Sequence, residues 1–114
     1  MIEEMILAAI EAATTVHAYM EVPEDAPTSF CVIERTGGGQ RGHEMRDATI
    51  AVQSYGETLL EAATLNEAVL NVMQELPFSE AKLVTCQLNS NYNFTDTETR
   101  RYRYQAVFDL VYFN

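Results

Sequence analysis

The chain has no tryptophan, two cysteines, three prolines, and only seven basic residues against seventeen acidic ones. Each shortage excludes something. Two cysteines, Cys31 and Cys86, cannot frame a disulfide-stapled mini-fold, and both read as reduced thiols in strands. No apolar run approaches the ~20 residues of a membrane-spanning helix. With a net charge of −10, wholesale binding to nucleic acid or to an anionic membrane is not expected. A secretory leader carries positive charge near its start, whereas MIEEMILAAIEAA carries Glu3 and Glu4, so a cytosolic origin is expected. The glycosylation sequon at Asn93-Phe94-Thr95 is then idle.

Catalytic and cofactor signatures are equally scarce. Gly37-Gly38-Gly39 lacks the Lys-Ser/Thr of a phosphate-cradling loop, and a strand follows it instead of a helix. His43-Glu44-Met45-Arg46-Asp47 places Asp where a zinc-binding helix would carry its second His. The two histidines and two cysteines give no nucleophile–base constellation. The expectation is a chain that is not an enzyme, with no catalytic residue, cofactor or metal.

What remains is enough for one domain over residues 1–114. The composition is 47% hydrophobic and 10% aromatic, which excludes disorder, and a chain this long buries roughly 65% of its unfolded surface. The stretch Thr28–Gly56 organises it. Phe30–Ile33 and Ala48–Val52 flank the loop TGGGQRGHEMR, which predicts a β-hairpin with strands over 29–36 and 47–55. The loop from Thr36 to Arg46, with Gly37, Gly38, Gly39 and Gly42, is expected to be flexible. Apolar residues on both alternate sets of each strand predict a sheet covered on both faces, by helices on one side and by something else, such as a neighbouring subunit, on the other.

Ile2, Met5, Ile6, Ala9, Ile10, Ala13 and Val16 predict a helix over 2–18, ended by Pro23 and Pro27, with His17 near its C-terminus. Leu59, Ala62, Leu65, Val69, Val72 and Leu76 predict a second helix over 57–76. It is capped by Thr58-x-x-Glu61, with Thr64-x-x-Glu67 as an alternative start, and is ended by Pro77. Lys82–Phe94 and Arg101–Phe113 predict a second hairpin. Thirteen residues at ~3.3 Å span about 43 Å, so its tip is expected to protrude. The fold class is α+β, order αββαββ: two hairpins forming an antiparallel-rich sheet of about four strands, with two helices on one face.

Charge follows the same division. The helical segments hold acids and no base; every base lies in or beside a hairpin. Arg35, Arg41 and Arg46 flank the first hairpin loop, and Arg100, Arg101 and Arg103 interleave with Tyr102 and Tyr104 in the second. This arginine–tyrosine mixture is the composition of a protein interface, so these eight residues are the expected subunit-contact residues. The same mixture with Tyr92 and Phe94 supports an alternative, a module that stacks single-stranded nucleic acid.

The wording itself carries a resemblance. Phe30-Cys31-Val32-Ile33-Glu34-Arg35 followed by Gly37-Gly38-Gly39, then Asp47-Ala48-Thr49-Ile50-Ala51-Val52-Gln53-Ser54-Tyr55, then Glu61-Ala62 with Asn66-Glu67-Ala68-Val69, and finally Arg101-Tyr102-Arg103-Tyr104-Gln105-Ala106-Val107-Phe108, resemble in order and spacing the small tail terminator and neck proteins of long-tailed phages and prophages. The likeness covers almost the whole chain except the polar run 89–99. It implies a structural virion protein, made in the host cytoplasm and located in the tail neck. It further implies a homo-oligomeric ring, a hexamer, that caps the tail tube and joins it to the head. The tube and head–tail connector proteins would be partners, and DNA would pass through the ring without being read for sequence.

Overall fold

The computed structural model describes residues 1–114 and is α+β. In chain order the elements are α1 (Ile2–Ala13), β1 (His17–Tyr19), β2 (Phe30–Arg41), β3 (Met45–Gly56), α2 (Leu59–Ser79), β4 (Leu83–Asn93) and β5 (Tyr102–Phe113). The sheet has five strands in the order β1-β2-β3-β5-β4. Four are antiparallel, and β1 adds a parallel edge along Phe30–Val32. Both helices pack on one face of it.

The fifth strand corrects the expected helix over 2–18. Helix α1 stops at Ala13, where the Thr14 amide and hydroxyl both bond the Ile10 carbonyl, at 3.0 and 2.7 Å. The β-branched run Thr14-Thr15-Val16 disfavours a further turn. The Glu11 carboxylate then accepts from the Ala18 amide at 3.1 Å and meets the His17 ring at 3.3 Å. This bond turns the chain into β1 and buries Ala18 in the core. His17 is therefore a strand residue.

The glycine loop is corrected as well. Strand β2 continues through Gly37–Gly39 to Arg41, paired with β3 as far as Arg41–Met45. Only residues 42–44 remain as the turn. A bulge at Thr36, between Arg35 and Gly37, absorbs one residue of register. Gly38 adopts φ 153°, and a Cβ there would lie 2.6 Å from the Asp47 carbonyl oxygen. The glycine thus lets two backbones approach inside a ladder.

Helix α2 starts after Thr58, whose hydroxyl accepts from the Glu61 amide at 3.1 Å, as the cap wording predicts. It runs past Pro77 to Ser79. Proline forfeits one backbone bond, which is tolerated in a last turn that the Glu80 amide closes on the Leu76 carbonyl at 2.9 Å. Ile6, Ile10, Val69, Met73, Ile33, Ile50, Val52, Phe108 and Leu110 fill the space between helices and sheet. Each contributes about 1.5–3 kcal/mol by leaving water.

The opposite face differs from the expectation of a second apolar cover. The Gln53 amide donates to Gln105 Oε1 at 2.8 Å and to Glu34 Oε2 at 3.4 Å, and the Gln105 amide donates to the Tyr92 hydroxyl. This row crosses β2, β3, β5 and β4. A second row joins Thr49 and Asn89 to the Asp109 carboxylate at 3.0 and 2.9 Å. Polar side chains zip most of this face, while at one end Phe30, Val32 and Tyr55 form a second buried apolar cluster covered by Tyr19 and Ala26. No helix is long and apolar enough to cross a membrane.

Candidate functional site

The eight expected contact residues fall at the two ends of a molecule measuring 44 × 25 × 24 Å. Strands β3 and β5 run antiparallel in full register. Arg41 and Arg46 therefore lie toward one end, with Lys82 and the strand terminus Phe113, while Arg35 stands mid-strand, level with Ile50 and Phe108, and reaches toward that end with its guanidinium on Tyr112. Arg100, Arg101, Tyr102, Arg103 and Tyr104 lie toward the other. The structure does not bring the two groups together.

At the first end, α1, α2 and the sheet bound an open cleft of about 1160 Å³. Its floor is built by Arg35, which donates to the Tyr112 hydroxyl at 2.7 Å and lies 3.7 Å from Glu3 Oε2. Glu3 is buried, and its Oε1 has no hydrogen-bond partner. Arg35 is thus engaged inside the subunit. Arg41 pairs with Asp47 at 2.9 Å, stapling the turn. Arg46 lines the cleft and makes no ion pair.

At the other end, Phe30 and Tyr55 stack at 4.4 Å and 7°. The Arg103 guanidinium lies 4.4 Å from the Phe94 ring and 5.7 Å from the Tyr55 ring. It also donates to the Phe94 carbonyl at 2.7 Å and the Tyr55 hydroxyl at 3.0 Å. A cation held by two rings and two acceptors is a brace for the hairpin tip, which takes Arg103 out of the set of free contact residues. Tyr104 is half-buried, paired opposite Ser54 and Asn93. Arg100 and Arg101 remain exposed, and neither makes an ion pair. Arg100 has φ 55°, unusual for a residue with a side chain. With Tyr102 they rim a hollow of about 210 Å³ over Phe30 and Tyr55.

The tip between β4 and β5 is ordered by local bonds. Asp96 Oδ1 accepts from the Glu98 amide at 3.0 Å and the Thr99 amide at 3.4 Å. Bonding from the Thr99 side chain, then from these amides, holds the Asp96 carboxyl below its usual range. Desolvation dominates at the two thiols and raises both. Burial pushes Cys31 up to about 12, and burial together with the Asp109 charge pushes Cys86 up to about 11. Both thiols are free and unreactive as thiolates at neutral pH. No group of three or more His, Cys, Asp or Glu residues gathers in a way that could hold a metal ion.

The sheet edges are the feature the sequence reading passed over. β4 is an outer strand of 11 residues, LVTCQLNSNYN, without a charged side chain. Val84, Leu88 and Tyr92 on it are 41%, 48% and 40% exposed. Soluble proteins blunt such an edge with Lys, Pro or a covering element; here only bulges at Val84 and Asn89 interrupt it. At the opposite edge β1 pairs with Phe30–Val32 alone, so Glu34–Arg41 of β2 has no outer neighbour. The uncharged wording of β4 was the available signal. No protein-family model matches the chain, and no curated protein matches it.

Proposed function

We propose that the chain is a structural subunit of a phage tail terminator or neck assembly, forming a homo-oligomeric ring that caps the tail tube and joins it to the head. The observation that carries self-association is the uncharged, unguarded outer edge of β4. The motif order of the sequence supplies the phage context, including the hexameric ring size, the tube and connector partners, and passage of DNA without sequence recognition. The two ends of the subunit are chemically unlike: one has the Glu3–Arg35 cleft and the other the arginine–aromatic tip. Unlike surfaces favour a heterologous contact, which closes into a ring by rotation, over a self-matched two-fold one. The role is assembly, without catalysis or cofactor.

Sedimentation velocity across a hundredfold concentration range tests this reading, with negative-stain imaging of the largest species. A closed ring of defined mass is expected. A chain that stays monomeric at every concentration, or forms only a two-fold dimer, overturns it.

A second reading, single-stranded nucleic-acid binding, has one observation in its favour: Tyr92 and Phe94 pack edge to face at 5.8 Å and stay partly exposed beside Arg103. An anisotropy titration with oligothymidine at low salt separates the two. Saturable binding abolished by Tyr92→Ala with Phe94→Ala supports the second reading; no binding removes it.

A further inference from the structure

We infer that the next copy in the assembly docks by strand addition, its β2 edge at Gly37–Gly39 pairing antiparallel with Thr85–Gln87 of β4. This rests on the ring reading and names its contact. The sheet register decides the geometry. Thr85 lies opposite Val111, which lies opposite Asp47, which lies opposite Gly39; Cys86 leads in the same way through Leu110 and Ala48 to Gly38; Gln87 leads through Asp109 and Thr49 to Gly37. The free stretches at Gly37–Gly39 and Thr85–Gln87 therefore stand at the same level along the strands, on opposite sides of one sheet. Tyr92 and Asn93 come level with Val32 and Cys31, which β1 already covers, so an incoming β4 leaves the joint at its Asn89 bulge.

Three consequences follow from that level placement. A neighbour related by rotation about an axis along the strands meets this edge without sliding, so the ring closes flat rather than rising as a helix. The strands meet with the right sense: β4 and β2 run in opposite directions, because β4 is antiparallel to β5, β5 to β3 and β3 to β2. Side-chain alternation is also preserved across the joint. Cys86 packs on the helix side, and Gly38 pairs with the helix-side Ala48, so the helices of both copies stay on the same face of the continued sheet.

The stretches match in regularity as well. Thr85–Leu88 is the unbroken part of β4 between its two bulges, and Gly37–Arg41 is the unbroken part of β2 beyond its own. No side chain at positions 37–39 stands beside the incoming backbone. Backbone hydrogen bonds would carry the contact, as in other strand-addition complexes.

Cysteine pairing reads the contact directly. Two single-site variants are made in a Cys86→Ala background, Gln87→Cys and Gly37→Cys. Both sites are exposed, and a Cβ at Gly37 makes only ordinary contact with Thr49, 3.7 Å away. Facing strand residues have Cα atoms about 4.5–5.5 Å apart, within disulfide reach. Under mild oxidation the mixed variants are expected to give a covalent heterodimer, with neither variant linking to itself. A chain carrying both substitutions is expected to give a ladder that ends at the mass of the ring. Circular dichroism confirms that each variant is folded, and amide exchange on the native protein provides a second readout, with Thr85–Leu88 slowing at least tenfold on assembly. Self-linking of Gln87→Cys alone would show a two-fold β4–β4 contact and overturn the proposal. Absence of linking and of slowed exchange, while the native chain still sediments as an oligomer, would overturn it and leave the ring reading standing. A native chain that is monomeric throughout would remove both.

Discussion

Replacing two neighbouring glycines should change stability in opposite directions. At Gly38 an added Cβ would lie 2.6 Å from the Asp47 carbonyl oxygen and 3.2 Å from the Ala48 Cα, on a backbone with φ 153°. The obstructing atoms belong to the main chain of β3, so no side chain can swing aside. A strained conformation of this kind costs about 1–3 kcal/mol, and the contact adds to it, giving about 2–3 kcal/mol for Gly38→Ala. At Gly37 the nearest atom to a new Cβ is the Thr49 side chain at 3.7 Å, an ordinary contact. Gly37→Ala should therefore be neutral or stabilising by about 0.4–1 kcal/mol, since it removes freedom from the unfolded chain. Urea unfolding followed by far-UV circular dichroism measures both, at one low protein concentration so that association does not contribute. With a slope of about 1–3 kcal/mol/M, the Gly38→Ala midpoint should fall by roughly 1 M or more while that of Gly37→Ala holds or rises. If both substitutions shift stability equally, within about 0.3 kcal/mol, the residues form the loose loop that the glycine content suggests and the ladder to Arg41 is wrong.

Two further outcomes are expected. Cys31 has its pKa raised from 9.0 to about 12, so above pH 9 the folded chain keeps a proton that the unfolded chain has lost. The resulting stability is complete below pH 9 and declines by about 1.4 kcal/mol per pH unit as pH rises toward 12. The stability gap between the native chain and Cys31→Ala should therefore narrow between pH 9 and 10.5, and a constant gap refutes the burial argument. Gln53→Leu alone leaves the buried Gln105 carbonyl without its donor and should cost about 1–3 kcal/mol. Gln53→Leu with Gln105→Leu should cost less than the sum of the single changes, and strict additivity would show that the pair is not coupled.

The sequence by itself determined the parts set by local chemistry. The Ile2-Ile6-Ile10 stripe, the Thr58 cap and the alternation in β5 each declare their element without help from elsewhere in the chain. The α+β class and the helices on one face follow from them. Tertiary structure decided the rest, because each of the remaining outcomes depends on a partner distant in sequence. Thr14–Ala18 reads as a continued helix until β2 offers the open edge of Phe30–Val32 and Glu11 captures the Ala18 amide. Gly37–Gly39 reads as a loop until β3 pairs with it on one side. Arg35 and Arg103 read as free cations until Glu3 and Tyr112, or Phe94 and Tyr55, surround them. The equal level of the two free stretches is the furthest from local chemistry. It is a sum of three strand registers, and register is fixed only when every strand presents its apolar residues to the same two helices.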